Sequence, residues 1–240
     1  WLVALVSICH VFMVAIGYGL THGKARQQRA FSMLYLLGYN IGMFAMPFVA
    51  GFLPPTGFLA TCLFDAGNAI MCTGGTYALA NSVTDASQHL SIKSFLRNVF
   101  SSIPFCIYLI MIVMAFLHLA LPHPVLIFTK IAGDANAFLC MLMIGVNINL
   151  QMDSKSFRCL IKHITVRYAL SAVLAFLFYR YLPFSLEIRQ AMAVIALAPS
   201  SSLALIFTMK LKGEVIMAGN ICSLSILLST IAMTILLVYL

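Results

Sequence analysis

The sequence predicts an all-α membrane protein, an inverted-repeat helical bundle in which two proline-broken helices cross. Three observations predict it. Of the 240 residues, 62% are hydrophobic and 8% charged, with a mean hydropathy of +1.04, whereas soluble domains run near a quarter charged. Apolar stretches of about twenty residues, the length a helix needs to cross hydrocarbon, recur along the chain. Two of them hold a proline in corresponding places, Pro47 within 39–51 and Pro199 within 198–202. A proline there removes one backbone N–H and frees a carbonyl. Lipid satisfies neither, so such a break survives only against protein or a wet cavity.

Eight spans are expected, roughly 1–20, 31–53, 57–81, 98–120, 124–149, 161–182, 188–209 and 214–240. The first is apolar with His10 inside it. The second contains Asn40 and Pro47 and closes at Pro54-Pro55, a tight turn leading into the third, which carries Asp65 and Asn68. Residues 83–97 form the longest polar stretch, with Asp85, Gln88, His89 and Lys93, and read as a linker with an interfacial helix. The fourth span ends at Leu121-Pro122-His123-Pro124, and the fifth carries Lys130 and Asp134 before Asn147 and Asn149 close it. A basic cluster precedes the sixth, Pro199 interrupts the seventh, and the eighth holds Asn220. Because the chain opens inside an apolar span, an N-terminal portion is expected to precede it.

Eleven basic residues, Arg167 among them, fall in one set of loops, and three (Lys130, Arg180 and Arg189) in the other. The first set is therefore expected to be cytoplasmic. Sliding the chain on itself by 152 positions lays Pro47 on Pro199, Thr56 on Thr208 and Ala66-Gly67-Asn68 on Ala218-Gly219-Asn220. Eight identities fall in the 34 positions from Pro47 to Ala80, against roughly three expected from composition. With the loop charges, this predicts an inverted repeat: 1–82 as the first copy, its N-terminal part missing, and 98–240 as the second.

The net charge of +8 comes in short clusters between spans, which argues against nucleic acid as a partner. Seven scattered cysteines include no C-x-x-C pair and read as small buried residues. No nucleotide loop, metal-ligand spacing or catalytic triad is visible, so neither an enzyme nor a cofactor is expected.

Two of the six acids, Asp65 and Asp134, fall within spans, close to mid-bilayer. A carboxylate there costs about 2.5–3.5 kcal/mol on insertion scales. Each is a candidate proton or cation site, the competing reading being an acid tied to a neighbouring helix break. Asn68 lies one turn from Asp65, and Asn220 is its repeat mate; both suit a substrate carboxylate or a helix cap, with interhelical structural glue equally weighted. Asn40, Ser200, Ser201 and Ser202 flank the breaks, where new helix N-termini present unpaired N–H groups to an anion. No basic residue other than Lys130 is expected mid-span, and Lys130 is expected to snorkel outward. His10 and His118 read as packing residues. Gly67 and Gly219 read as sites of close helix approach.

With these residues in view, the chain resembles the auxin efflux carrier family, which includes plant auxin exporters and bacterial permeases for malate and malonate. The likeness rests on Asn40-x-Gly42 leading to Pro47, Leu63-Phe64-Asp65-Ala66-Gly67-Asn68, Ile144-Gly145-Val146, Ala198-Pro199 and Leu227-Leu228-Ser229. It implies ten helices in two inverted repeats, a homodimer, and transport of an organic anion by an elevator-like motion. The expected function is thus secondary transport of small organic anions. Substrate would meet Asn40, Pro47, Asn68, Pro199, Ser200, Ser201 and Asn220, and a proton or sodium ion would couple through Asp65 or Asp134. The alternatives are a cation-coupled carrier of the bile-acid-symporter type, marked by paired carboxylates, and a membrane receptor that transports nothing.

Overall fold

The computed structural model describes residues 2–84, 92–101, 103–146 and 154–240. The linker residues Asp85, Gln88 and His89, and the pair Asn147 and Asn149, lie outside them. Among the described residues the fold is all helix, with one isolated backbone bridge. Three segments are each long and apolar enough to cross a bilayer: α1 (Leu2–Leu20), Phe157–Tyr181 within α9 (Ser154–Tyr181), and α12 (Val215–Tyr239). The chain is a membrane protein.

Elsewhere the apolar stretches are built in pieces. The stretch 31–53 comprises α2 (Arg26–Leu37), a gap at 38–40, a π-helical turn (Ile41–Ala45) and α3 (Met46–Phe52). The stretch 57–81 runs from α4 (Pro55–Ile70) through a second π turn (Met71–Gly75) into α5 (Thr76–Thr84). Next come α6 (Ile92–Phe100), which carries Lys93 and Arg97 and packs on the second π turn, then α7 (Ile103–Phe116) and α8 (His123–Val146). The stretch 188–209 divides into α10 (Leu186–Ala196) and α11 (Ser202–Lys210).

The core is organised around α10, where every residue from 191 to 200 is buried. Alanines at 191, 193, 196 and 198 keep this segment thin, so α4 and α9 pack closely on it. At Gly57 of α4, a Cβ would stand 3.3 Å from the Ala191 Cβ. Gly67 serves the expected role against α1, since a Cβ there would lie 2.9 Å from the Val3 carbonyl oxygen. Gly219 does not, having nothing within 4 Å.

The two breaks meet. Tyr39 and Ser200 form an antiparallel bridge, in which Asn40 N–H donates to the Pro199 carbonyl (2.9 Å) and Ser201 N–H to the Gly38 carbonyl (2.8 Å). Each break thus satisfies backbone groups of the other, which lipid cannot do. The second break falls at Pro199 as expected. The first does not fall at Pro47, which lies inside the continuous helical run Ile41–Phe52, just after the π turn passes into α3. The preceding π turn loosens the helix where the ring would otherwise press on the turn before it. Tyr39 and Ser200 lie 161 positions apart, so the 152-residue register of the two prolines does not superimpose the breaks.

Close passage at the bridge depends on Gly38, where a Cβ would stand 2.7 Å from Ser201 Cβ and 3.2 Å from Cys72 Sγ. Gly38→Ala is expected to lower stability by about 1–3 kcal/mol, read as a drop in the thermal unfolding midpoint of the detergent-solubilised protein. Gly219→Ala, which meets open space, is the control and should leave the midpoint unchanged.

Candidate functional site

At the bridge, helices α2 and α10 both present their C-terminal ends, where carbonyls lack helical partners and carry partial negative charge. Arg167 of α9 answers them. Its guanidinium donates to the carbonyls of Tyr35 (3.0 Å), Gly38 (3.1 Å) and Ala198 (3.1 Å), and lies 5.0 Å from the Tyr39 ring centroid. Arg167 is 1% exposed and, among the described residues, makes no salt bridge. This corrects the expectation that Arg167 lies in a loop and that no buried cation attends the crossing. Helix α9 begins at Ser154, so Arg167 stands about 20 Å along it, well inside the bundle.

Asn68 holds the first break from the other side. Its amide oxygen accepts from Tyr39 N–H (3.2 Å), and its amide nitrogen donates to the Tyr39 carbonyl (3.0 Å) and to Asp65 Oδ1 (3.1 Å). Tyr108 of α7 donates to the second Asp65 oxygen at 2.7 Å. Asp65 is buried, and a Cβ on Gly42 would lie 3.7 Å from its carboxylate, which places the acid against the first π turn. His10 of α1 completes the group, its Nε2 standing 3.1 Å from Asn68 Oδ1.

The second break is held by serines of α12. Ser225 Oγ accepts from Ser200 N–H (3.1 Å), and the Ser229 hydroxyl donates to the Leu197 carbonyl (2.7 Å). Ser201 caps α11, its hydroxyl accepting from Leu203 N–H at 3.3 Å. Asn40 Nδ2 donates across the crossing to the Ser202 hydroxyl at 3.3 Å. Asn220 does not mirror Asn68: it is buried on α12, and its amide nitrogen has no hydrogen-bond partner among the described residues. The Ser200 hydroxyl and Arg167 Nε are likewise buried without partners there. Buried polar atoms are rarely left so.

Asp134 stands apart from this cluster. It is exposed on α8 and paired with Lys130 one turn away at 2.8 Å. The ordinary i,i+4 spacing satisfies both charges locally, so neither reaches the crossing. Asp65 and Asp134 are therefore not a pair.

Two openings adjoin the crossing helices. A narrow crevice of about 10 Å³, room for roughly one water, is lined by Gly38, Cys72, Thr76, Ser201 and Phe207. A wider cleft of about 500 Å³ lies on the lysine-rich side and is lined by Lys24, Gln28, Ser32, His163, Lys212 and Glu214. His163 Nε2 accepts from the Ser32 hydroxyl at 2.9 Å, while Nδ1–H donates to the Cys159 carbonyl at 2.9 Å, an assignment that suits a neutral ring.

Gly38, Arg167, Tyr108, Ser225 and the Asn68 contact of His10 were not singled out from the sequence. Arg167 carried one available signal, its position thirteen residues into a helix that opens with Ser154. No family model, curated protein or solved structure matches the chain.

Arg167→Met leaves three buried carbonyls unanswered and is expected to cost roughly 3 kcal/mol or more. The thermal unfolding midpoint should fall further than in Arg167→Lys, which keeps the charge but not the planar fork. Equal midpoints for the two variants would show that charge alone matters.

Proposed function

We propose that the protein is a multi-pass secondary transporter of small organic anions, built from inverted repeats and working by alternating access. The observation that carries this reading is the meeting of two interrupted helices in a backbone bridge, deep in an apolar bundle and backed by a buried arginine. Helix interruptions are retained in membranes chiefly where solute binds. The site is net attractive to an anion: the π turn at Ile41 and helix α11 begin beside the bridge, and Arg167, Ser200 and Asn220 hold unspent donor capacity.

The substrate carboxylate binds between Asn40, Asn68 and Ser200 on one side and Arg167 and Asn220 on the other. Pro199 holds the second break open, and Ser201 stiffens the helix that follows it. The Lys24 and Lys212 opening faces the cytoplasm, where its positive rim raises the local anion concentration. Any coupling ion is served by the Asp65 cluster, since Asp134 is neutralised on the surface of α8. Among the described residues no carboxylate pair stands at the crossing, which favours this reading over a cation-coupled carrier of the bile-acid-symporter type.

The test is purified protein in liposomes, supplied with labelled malate, malonate or indole acetate across imposed pH and voltage gradients. Saturable uptake of at least one anion is expected. Pro199→Ala should reduce uptake by about tenfold or more, the scale of a misplaced binding constellation, and Pro47→Ala should do markedly less. Binding without accumulation of any of the three would indicate a receptor instead.

A further inference from the structure

His10 is 1% exposed, and both of its ring nitrogens have partners: Nδ1 stands 2.8 Å from the Val6 carbonyl and Nε2 3.1 Å from Asn68 Oδ1. A backbone carbonyl only accepts. The orientation of the Asn68 amide is set independently of His10, because its nitrogen donates to the Tyr39 carbonyl and to Asp65, while its oxygen accepts from Tyr39 N–H. Turning the amide over would set oxygen against two acceptors and nitrogen against a donor. Both nitrogens of His10 therefore face acceptors. A neutral imidazole has one N–H and one lone pair, so it satisfies only one of these contacts, whereas an imidazolium satisfies both.

The groups around the ring carry charges of both signs. From α4 and the turn after it, His10 meets Asn68, and beyond it Asp65 and Cys72. From the first break it meets the Tyr39 ring, edge to face at 5.6 Å, and Arg167 of α9 lies over that same ring. Tyr108 of α7 closes the far side of Asp65, and Cys9 is its neighbour on α1. Arg167 and Asp65 cancel formally. With His10 neutral the crossing is balanced, and with His10 protonated it holds one surplus positive charge, which one carboxylate group of the anion neutralises.

We infer that His10 is a proton-binding site coupled to anion binding at the crossing, with Asp65 as its fixed counter-charge. One proton from solution is taken up on Nε2 as the anion enters, and it is returned to solution when the anion leaves. While bound, it locks Asn68 onto the Tyr39 backbone. In the neutral ring that keeps its proton on Nδ1, two lone pairs confront each other across 3.1 Å and the clamp loosens. This inference rests on the transport reading above and supplies its coupling ion.

Two measurements test it. In the first, the other five histidines are replaced by Gln, and ¹⁵N spectra of the remaining labelled histidine are recorded in lipid bilayers between about pH 5 and pH 8. An imidazolium with both nitrogens protonated, converting to the neutral form within that range, is expected. A single neutral tautomer throughout would overturn the proposal. In the second, labelled malate accumulation in liposomes is compared with and without an imposed pH gradient. The ratio should exceed one for the unaltered protein and fall to about one for His10→Gln; an undiminished ratio in the variant would also overturn it. If neither protein moves malate, or the variant fails to fold, the spectra alone decide whether His10 binds the proton. Failure of every anion in the liposome screen counts against the transport reading, whatever the spectra show.

Discussion

Everything at the centre of this protein depends on how backbone groups released by two helix interruptions are satisfied in a place without water. Each unpaired N–H or carbonyl in hydrocarbon costs several kcal/mol. The chain answers with three devices. The breaks pair with each other through two backbone hydrogen bonds. Arg167 takes one carbonyl on the approach to the first break and one at each break. Asn68, Ser225 and Ser229 take groups that remain. Remove any one device and the others are left holding a partly open knot.

A buried arginine without a carboxylate partner is unusual, and the helix ends explain it. The C-terminal ends of α2 and α10 converge, and their partial negative charges take the place of an acid. The guanidinium suits this role because its donors splay in a plane and reach carbonyls in different directions at once, whereas a lysine ammonium acts as a point charge. The face of Tyr39 supplies a fourth surface. Arg167 is thus a structural cation whose charge is dispersed over backbone carbonyls.

Composition and span length made the helical class and the membrane setting legible, and Pro199, Asn40 and Asn68 were found because proline and buried amides are conspicuous in an apolar background. What escaped depended on geometry that residue type does not announce. Pro47 is the louder signal, yet the first break lies at the quieter Gly38, because a π turn absorbs the proline while the crossing needs a residue without a side chain. Arg167 was counted with loop charges because a ruler of twenty apolar residues places helix ends by hydropathy, and α9 starts several residues earlier in a polar run. Asp134 looked like Asp65 at the level of depth alone; a lysine one turn away gives it a different fate. Ser225 was hidden by being an ordinary helix residue.

The bridge between Tyr39 and Ser200 also has a mechanical meaning. Two short backbone bonds, a guanidinium gripping both strands and a glycine pressed against a serine form a rivet, not a bearing. Sliding one interrupted segment along the other would shear every one of these contacts at once, with no solvent to heal them. Displacement of either segment would drag its companion along, so the crossing is a single rigid unit and any flexing belongs to the helices that surround it.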